Sequence, residues 1–263
     1  MPNIEVPPLP VAHARAMRLI HVPDPSVREL EAIVELDPRL TAAVLRMANS
    51  AASAPLQRVE TAHSAIVRIG TAATRRITIA AALDSSFPKL WKSGLNVDEL
   101  WRHLVACAIF ADQYTGHGPA EHSEAFTAGL LHDIGRLALA SQDPERYAVV
   151  VAMARNGQDA ISAERKVFGM GHVEWGGAVA REWQFPDDVT VAITDHHNGI
   201  AGRLSVAVSA ARRATAAMGI GDGVSGPEPP PGQLQVADEA IIENAESVLR
   251  ELNSYVRAVR AAA

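Results

Sequence analysis

Histidine and carboxylate side chains recur in four separate stretches of this sequence, in a pattern that could bind metal ions. Glu99 and His103 lie four residues apart, so on a helix both would project from one face. The full set is Glu99, His103, His132, Asp133, His172, His196 and His197. Imidazole nitrogens together with carboxylate oxygens suit first-row divalent metals such as Fe, Mn, Zn or Ni. A set of this size could hold two ions about 3.5–4 Å apart, which would activate a water molecule and clamp a phosphate.

The same residues are also compatible with a metal-free polar cluster that ties several helices together. A single His–Asp pair is common, but the stretch LLHDIG (130–135) with two adjacent histidines downstream is more specific. Its polar pair lies among apolar and small residues, and a buried polar group without partners is costly. The spacing therefore indicates a cluster of His and Asp, and it leaves open whether a metal holds that cluster together.

The elements that position these residues are predicted to be helices. Alanine supplies 47 of the 263 residues and aromatic residues only 5%, which favours an all-α protein. The pairs Asp24–Pro25, Asp37–Pro38 and Asp143–Pro144 each have the form of an N-cap followed by proline at the first helical position. Two short segments around Gly70 resemble a helix-turn-helix, although an ordinary helical corner has the same pattern.

Composition excludes several classes of protein. The net charge of −6 and the pI near 5.9 argue against a strongly basic nucleic-acid binder, so we do not expect a nucleic-acid partner. The single Cys107 excludes a disulfide framework and a Cys-rich zinc cluster, and it suits a reducing compartment. No apolar run approaches the roughly 20 residues of a membrane span, and the first ten residues lack the features of a signal peptide. We therefore expect a cytoplasmic protein without a membrane segment.

Longer stretches of the sequence are similar to a known family. LHDIG (131–135), His172 and the pair at 196–197 resemble the HD superfamily of metal-dependent phosphohydrolases. The surrounding sequence resembles one branch of this superfamily, the HDOD (HD-related output) domain. The similar stretches include LDPRLTAAVLRMANSA (36–51), EAFTAGLLHDIGRLAL (124–139) and FGMGHVEWGGAVAREWQFPDDVTVAITDHHN (168–198). The resemblance extends over roughly residues 12–218.

The resemblance implies an HDOD-type helical fold with an N-terminal helical lobe and an HD-like helical lobe. We accordingly divide the chain into five parts. They are an extended arm at 1–10, the N-terminal lobe at 11–98, the HD-like lobe at 99–218, a Gly/Pro-rich linker at 219–234 and a C-terminal helix at 235–263. The linker is predicted from GIGDGVSGPEPPPGQ, which has no apolar periodicity.

The resemblance also implies a function. HDOD domains act as output or regulatory modules in bacterial signal transduction, whereas the related HD-GYP phosphodiesterases use a fuller ligand set to cleave cyclic di-GMP. Carried over residue by residue, the positions where that ligand set would lie are Glu99, His103, His132, Asp133, His172, His196 and His197. The family's closing Asp is replaced here by Arg212, a fixed positive charge that opposes a cation, and no GYP motif is present.

These features predict a non-catalytic regulator that binds a signalling protein partner or a nucleotide or cyclic dinucleotide, with a vestigial divalent-metal site. The alternative is a metal-dependent phosphohydrolase that acts on a nucleotide or cyclic dinucleotide. The nearly complete ligand set favours this alternative or an inherited metal site, and Arg212 favours the regulator.

Overall fold

A computed structural model describes residues 6, 8–50, 57–115, 119–224 and 245–260 of the chain, with only the backbone described at 119–123 and 245. These residues form helices and no strand, which confirms the prediction of an all-α fold. The helices are α1 (Val11–Arg18), α2 (Val27–Val34), α3 (Pro38–Ala48), α4 (Ala62–Ser86), α5 (Val97–Thr115), α6 (Pro119–Leu131), α7 (Ile134–Gln142), α8 (Pro144–Arg155), α9 (Ala160–Phe168), α10 (His172–Glu182), α11 (Asp187–Asp195), α12 (Arg203–Ala217) and α13 (Ala245–Arg260). Within these ranges, no helix combines the length and the apolar character needed to cross a lipid bilayer.

The chain forms two compact units. The first comprises Pro8–Ser86 and Glu246–Ala263, and the second is built on Phe87–Ala245. The boundary therefore falls between Ser86 and Phe87, twelve residues before the one drawn from the sequence, and α13 groups with the N-terminal helices. Most of the arm proposed at 1–10 and residues 225–234 of the proposed linker lie outside the described residues.

In the first unit, one of the two helix starts predicted from an Asp–Pro pair is confirmed and the other is displaced by two residues. Asp37 caps α3 by accepting a hydrogen bond from the Arg39 N–H at 2.7 Å. Helix α2 instead begins after Ser26, whose hydroxyl and the Glu29 carboxylate form a capping box, so the Asp24–Pro25 pair precedes the helix rather than starting it.

Two further contacts organise the first unit. Helix α4 is broken at Gly70, where φ is +82°, as the two short segments predicted. Arg75 beyond this break is 1% exposed and donates to the Leu19 and Ile20 carbonyls, so it is not a surface charge. Arg46 joins α13 to this unit by donating to the Ala258 carbonyl at 2.8 Å.

The second unit brings α5, α6, α7, α10, α11 and α12 together around the histidine-rich stretches. Two glycines permit the close approach of these helices. A Cβ atom at Gly129 would lie 2.6 Å from the Cys107 carbonyl oxygen on α5, and one at Gly135 would lie 1.9 Å from the His172 carbonyl oxygen on α10. Neither distance is sterically allowed, so only glycine lets α6 pack against α5, and α7 against α10, at this separation.

Candidate metal centre

The second unit gathers six of the seven candidate residues from four places in the chain. His103 lies within α5, His132 and Asp133 form the two-residue turn between α6 and α7, and His172 is the first residue of α10. His196 and His197 directly follow α11. All of these side chains except that of His197 are at most 4% exposed to solvent, so the cluster lies in the interior and reaches the surface at one member.

The local backbone fixes the protonation of two of the rings. His132 Nδ1 lies 2.7 Å from the Gly129 carbonyl oxygen, and His196 Nδ1 lies 2.7 Å from the Ile193 carbonyl oxygen. A carbonyl oxygen can only accept a hydrogen bond, so each Nδ1 must carry the proton. Each neutral ring then directs the lone pair of its Nε2 into the cluster, which is the form of histidine that binds a metal.

A buried carboxylate fixes the ring of His172 in the same way. Glu164 Oε2 lies 2.6 Å from His172 Nδ1 and 2.7 Å from the His172 backbone N–H. The other oxygen of Glu164 accepts a hydrogen bond from the Tyr147 hydroxyl at 2.7 Å. The Glu164 carboxylate thus holds the imidazole of His172 with its Nε2 directed away from the carboxylate. This is the outer-shell arrangement that orients metal-binding histidines.

Asp133 lies between these three Nε2 atoms. Its Oδ1 is 3.3 Å from His172 Nε2 and 3.4 Å from His196 Nε2, and its Oδ2 is 3.6 Å from His132 Nε2. Among the described residues, neither Asp133 Oδ1 nor His196 Nε2 has a hydrogen-bond partner of acceptable geometry. Two buried acceptors that face each other repel unless a proton or a cation lies between them.

The electrostatics of the cluster disfavour a proton in that place. Burial lowers the pKa of His196 to about 4, although the nearby charge of Asp133 acts in the opposite direction. Burial alone would raise the pKa of Asp133, but the positive charge of Arg136 holds it well below its usual range. At neutral pH, therefore, His196 is neutral and Asp133 is ionised, and the residues present fit a bound cation.

Arg136 is the charged partner of Asp133, and the sequence did not single it out. Its Nη1 donates to Asp133 Oδ2 at 2.9 Å and to Asp222 Oδ2 at 2.8 Å, and its Nε lies 3.6 Å from Glu164 Oε1. Asp222 lies in the segment that the sequence predicted to be a linker, and Gly223 of this segment accepts a hydrogen bond from the Asn96 N–H. A guanidinium that is 2% exposed thus joins three acidic residues at the centre of the unit.

Arg212 and Glu99 were also singled out from the sequence, and each makes a hydrogen bond in the structure. Arg212 donates to the His196 carbonyl oxygen at 3.4 Å, so its positive charge does lie beside the cluster. Glu99 is bound at the start of α5, where its carboxylate accepts a hydrogen bond from the Asn96 side chain at 3.2 Å. Among the residues with described side chains, two groups of potential ligands have atoms within 4.8 Å of one another, and Glu99 belongs to neither of them.

The residues that could hold a metal therefore separate into two neighbouring groups. The first consists of His172, His196 and His197, with Asp133 Oδ1 beside them, and His172 Nε2 lies 3.0 Å from His197 Nε2. The second consists of His103, Cys107 and His132. Sequence reasoning identified every histidine in both groups and missed Cys107, Glu164, Arg136 and Asp222.

Comparison with known proteins supports the helical fold as a whole. An HDOD domain protein of unknown function from Geobacter sulfurreducens has a TM-score of 0.74 at 21% identity, with 96% of this chain and 93% of that one covered. A candidate phosphohydrolase from Shewanella amazonensis SB2B has a TM-score of 0.70 at 25% identity, with 97% and 95% covered. A candidate signal transduction protein from Marinobacter aquaeolei VT8 has a TM-score of 0.73 at 22% identity, with 96% and 60% covered.

Comparison of the sequence is consistent with the fold. A curated relative, an uncharacterised protein of Treponema pallidum (strain Nichols), is 25% identical over 206 residues, or 74% of this chain. The chain spans only 38% of the length of that relative. The HDOD domain family model matches residues 6–199, a range that contains His103, both members of the His132–Asp133 turn, His172 and the His196–His197 pair. The chain therefore belongs to the HDOD domain family.

Proposed function

We propose that this chain is a non-catalytic regulatory module of bacterial signal transduction whose interior is held by one divalent metal ion. The observation that carries the proposal is the pair of unpartnered buried acceptors, Asp133 Oδ1 and His196 Nε2, which face each other at 3.4 Å. His172, His196, His197 and Asp133 would hold the ion. Imidazole and carboxylate ligands suit Fe, Mn, Zn or Ni, and the set does not discriminate among them.

The bound ion would supply positive charge at the point where three segments of the second unit meet. It would act as a structural link because its ligands come from α10, from the turn after α6 and from the turn after α11. His197 is the one exposed member of the set and provides the route by which an ion enters from solvent. The presence of the ion would therefore fix the relative positions of these turns, which is the property a metal- or ligand-dependent regulator needs.

Several features support a non-catalytic module over a phosphohydrolase. A hydrolase needs metal-bound water that can reach the phosphorus atom of a substrate. Here Asp133 is 1% exposed, and His172 and His196 are fully buried. Arg136 already occupies Asp133 Oδ2, and Arg212 adds a second positive charge beside the cluster. Fixed guanidinium groups at these places disfavour a second cation near a substrate phosphate.

The partner of such a module would be another signalling protein or a nucleotide signal, and we expect its action to be cytoplasmic. The similarity to a candidate signal transduction protein supports this class of function, and the similarity to candidate phosphohydrolases keeps hydrolysis as the alternative that the experiment must exclude.

Turnover and metal content of the same samples test this proposal. Wild-type protein and the His196→Ala variant are loaded with Mn, Fe, Ni or Zn and assayed with cyclic di-GMP and simple phosphate esters. We expect metal in the wild type, less metal in the variant and equal background turnover in both. Metal-dependent hydrolysis that is lost with His196 would replace the regulator by the phosphohydrolase, and a wild type without metal would refute the metal centre.

A further inference from the structure

The short segment between α4 and α5 presents a tryptophan to solvent. Trp91 is 73% exposed, whereas Trp101 and Trp175 are 1% and 3% exposed. The fourth indole, that of Trp183, stacks on Phe87 with 5.9 Å between the ring centroids. An indole left in water forgoes the large gain in free energy that burial gives to aromatic side chains. Tryptophan is also among the residues most enriched at the energetic centre of protein interfaces, so the exposure of Trp91 marks a candidate contact residue.

The backbone that carries Trp91 is well anchored to the second unit. The preceding residue, Leu90, is 4% exposed, and its carbonyl accepts a hydrogen bond from the buried Ser93 hydroxyl at 2.6 Å. The Gly94 carbonyl accepts a hydrogen bond from Arg155 of α8 at 3.0 Å. These contacts fix the turn on both sides of the indole. A side chain on an ordered turn loses little conformational freedom when a partner covers it.

Positive charge surrounds the exposed indole. The chain contains only three lysines, and two of them, Lys89 and Lys92, flank Trp91 and are exposed. Lys92 Nζ lies 4.9 Å from the centroid of the Trp91 ring, within the range of a cation–π contact. Arg155 brings a third positive charge to the turn, and the sequence has no acidic residue between positions 87 and 97. The turn therefore combines an apolar surface with a border of cations.

This cationic turn belongs to an acidic unit. Residues 87–245 contain 12 Lys and Arg and 20 Asp and Glu. At physiological ionic strength, charges separated by more than about 8 Å are largely screened, so a short anionic segment would interact mainly with the lysines of the turn. An extended anionic surface, such as a lipid bilayer, would also face the acidic remainder of the unit. The distribution of charge therefore favours a short acidic protein segment over a membrane.

We propose that Lys89, Trp91 and Lys92 form a docking surface for an acidic segment of a partner protein. A large apolar side chain of that segment packs on the indole, and its carboxylates pair with the two ammonium groups. The inference rests on the regulatory function proposed above and names the chemistry of the signalling partner. None of the three residues is a proposed metal ligand, so peptide binding and metal binding can be measured separately.

Selection from a phage-displayed library of random dodecapeptides tests this surface. We expect the wild type to select peptides that carry Asp or Glu beside Trp, Phe or Leu, and their affinity should fall as salt is added. Trp91→Ala should weaken the best peptide by about 30-fold or more, the effect of losing an interface hot spot. Lys92→Glu should weaken it too. Lys166→Glu is the matched control, because it makes the same charge change at an exposed position on α9 and should retain binding.

Two readouts do not depend on loss of affinity. Because Trp91 is the most exposed of the four tryptophans, the selected peptide should reduce the quenching of wild-type tryptophan fluorescence by iodide. Trp91→Ala should keep the wild-type thermal midpoint, since the side chain that it removes lies in solvent. Selected peptides without an acidic excess, or peptides that bind Trp91→Ala as tightly as the wild type, would overturn the proposal.

Two other occupants of the surface are tested with the same variants. Trp91-dependent binding to phosphatidylserine vesicles would assign the surface to a membrane, and Trp91-dependent dimers in sedimentation would assign it to a second copy of the chain. Either result would overturn the acidic partner. Metal content distinguishes this inference from the proposed metal centre. Peptide binding by a wild type without metal would refute the centre and keep the surface, whereas metal without Trp91-dependent peptide binding would do the reverse.

Discussion

Replacing Glu164 by glutamine removes a buried negative charge while it preserves the shape of the side chain. In the wild type the two carboxylate oxygens accept hydrogen bonds from the His172 N–H, from His172 Nδ1 and from the Tyr147 hydroxyl, at 2.6–2.7 Å. Glu164 is fully buried, so no solvent replaces the lost charge. The Glu164→Gln variant therefore tests directly whether this carboxylate positions His172 as a metal ligand.

The expected magnitude follows from these contacts. A hydrogen bond to a charged group contributes ~1.5–3 kcal/mol and a neutral one ~0.5–1.5 kcal/mol, so three weakened bonds cost roughly 3 kcal/mol of unfolding free energy. This value agrees with the ~3–5 kcal/mol that breaking a buried ion pair costs. Loss of the outer-shell partner of a metal-binding histidine should also weaken metal affinity by about 10–100-fold.

Urea unfolding with and without saturating Zn²⁺, combined with calorimetric titration, separates the two effects. Tyr147→Phe is the matched control, because it removes one hydrogen bond to the same carboxylate and keeps the charge. We expect it to cost about 1 kcal/mol and to change metal affinity less than Glu164→Gln does. If Glu164→Gln destabilised the metal-free and metal-loaded proteins equally, with unchanged affinity, the role assigned to His172 would be refuted.

Three further predictions concern the same unit. The pKa of both His103 and His196 is lowered by burial to about 4 from an ordinary 6.5, so the unfolded chain takes up protons that the folded one does not. The unfolding free energy of the metal-free protein should therefore be highest above about pH 6.5 and fall by up to about 3 kcal/mol per histidine as the pH drops to about 4. Urea unfolding at a series of pH values measures this dependence, and an unfolding free energy that does not change with pH would contradict it. Gly135→Ala should destabilise the fold severely because its Cβ would overlap the His172 carbonyl, whereas Gly202→Ala, with no atom within 4 Å, should be tolerated in the same thermal scan. Arg136→Gln should cost about 3–5 kcal/mol in urea unfolding because Asp133 and Asp222 lose their buried partner, and a cost below 1 kcal/mol would count against this network.

The parts of the fold that the sequence predicts correctly depend on local chemistry. An Asp–Pro pair caps a helix through groups two or three residues away, as Asp37 and Asp143 do at the starts of α3 and α8. The His132–Asp133 turn and the His196–His197 pair are equally readable, since polar pairs at the ends of apolar helices need partners. Such features require no knowledge of which helices meet.

The parts that the sequence misses depend on contacts between distant elements. Glu164 lies in an ordinary amphipathic helix, and its role becomes visible only where α9 meets the start of α10. Asp222 lies in a Gly-rich stretch without periodicity, yet it pairs with Arg136, 86 residues away. Glu99 shows the limit of helical spacing: it lies one turn before His103, and in the structure its carboxylate accepts a hydrogen bond from the Asn96 side chain. Arg136 lies three residues after Asp133 in an apolar helix, and this spacing is the sequence signal that could have identified it as the charged partner of Asp133.

Diffraction data collected at the absorption edges of Mn, Fe and Zn, from crystals of protein produced with all three metals, test the metal centre most directly. We predict an anomalous peak about 2.0–2.2 Å from His172 Nε2, His196 Nε2 and Asp133 Oδ1. Crystals grown with an excess of all three metals that show no peak there, and a water molecule or a protonated imidazole hydrogen-bonded to Asp133 Oδ1 instead, would show that these residues form a polar core and not a metal site.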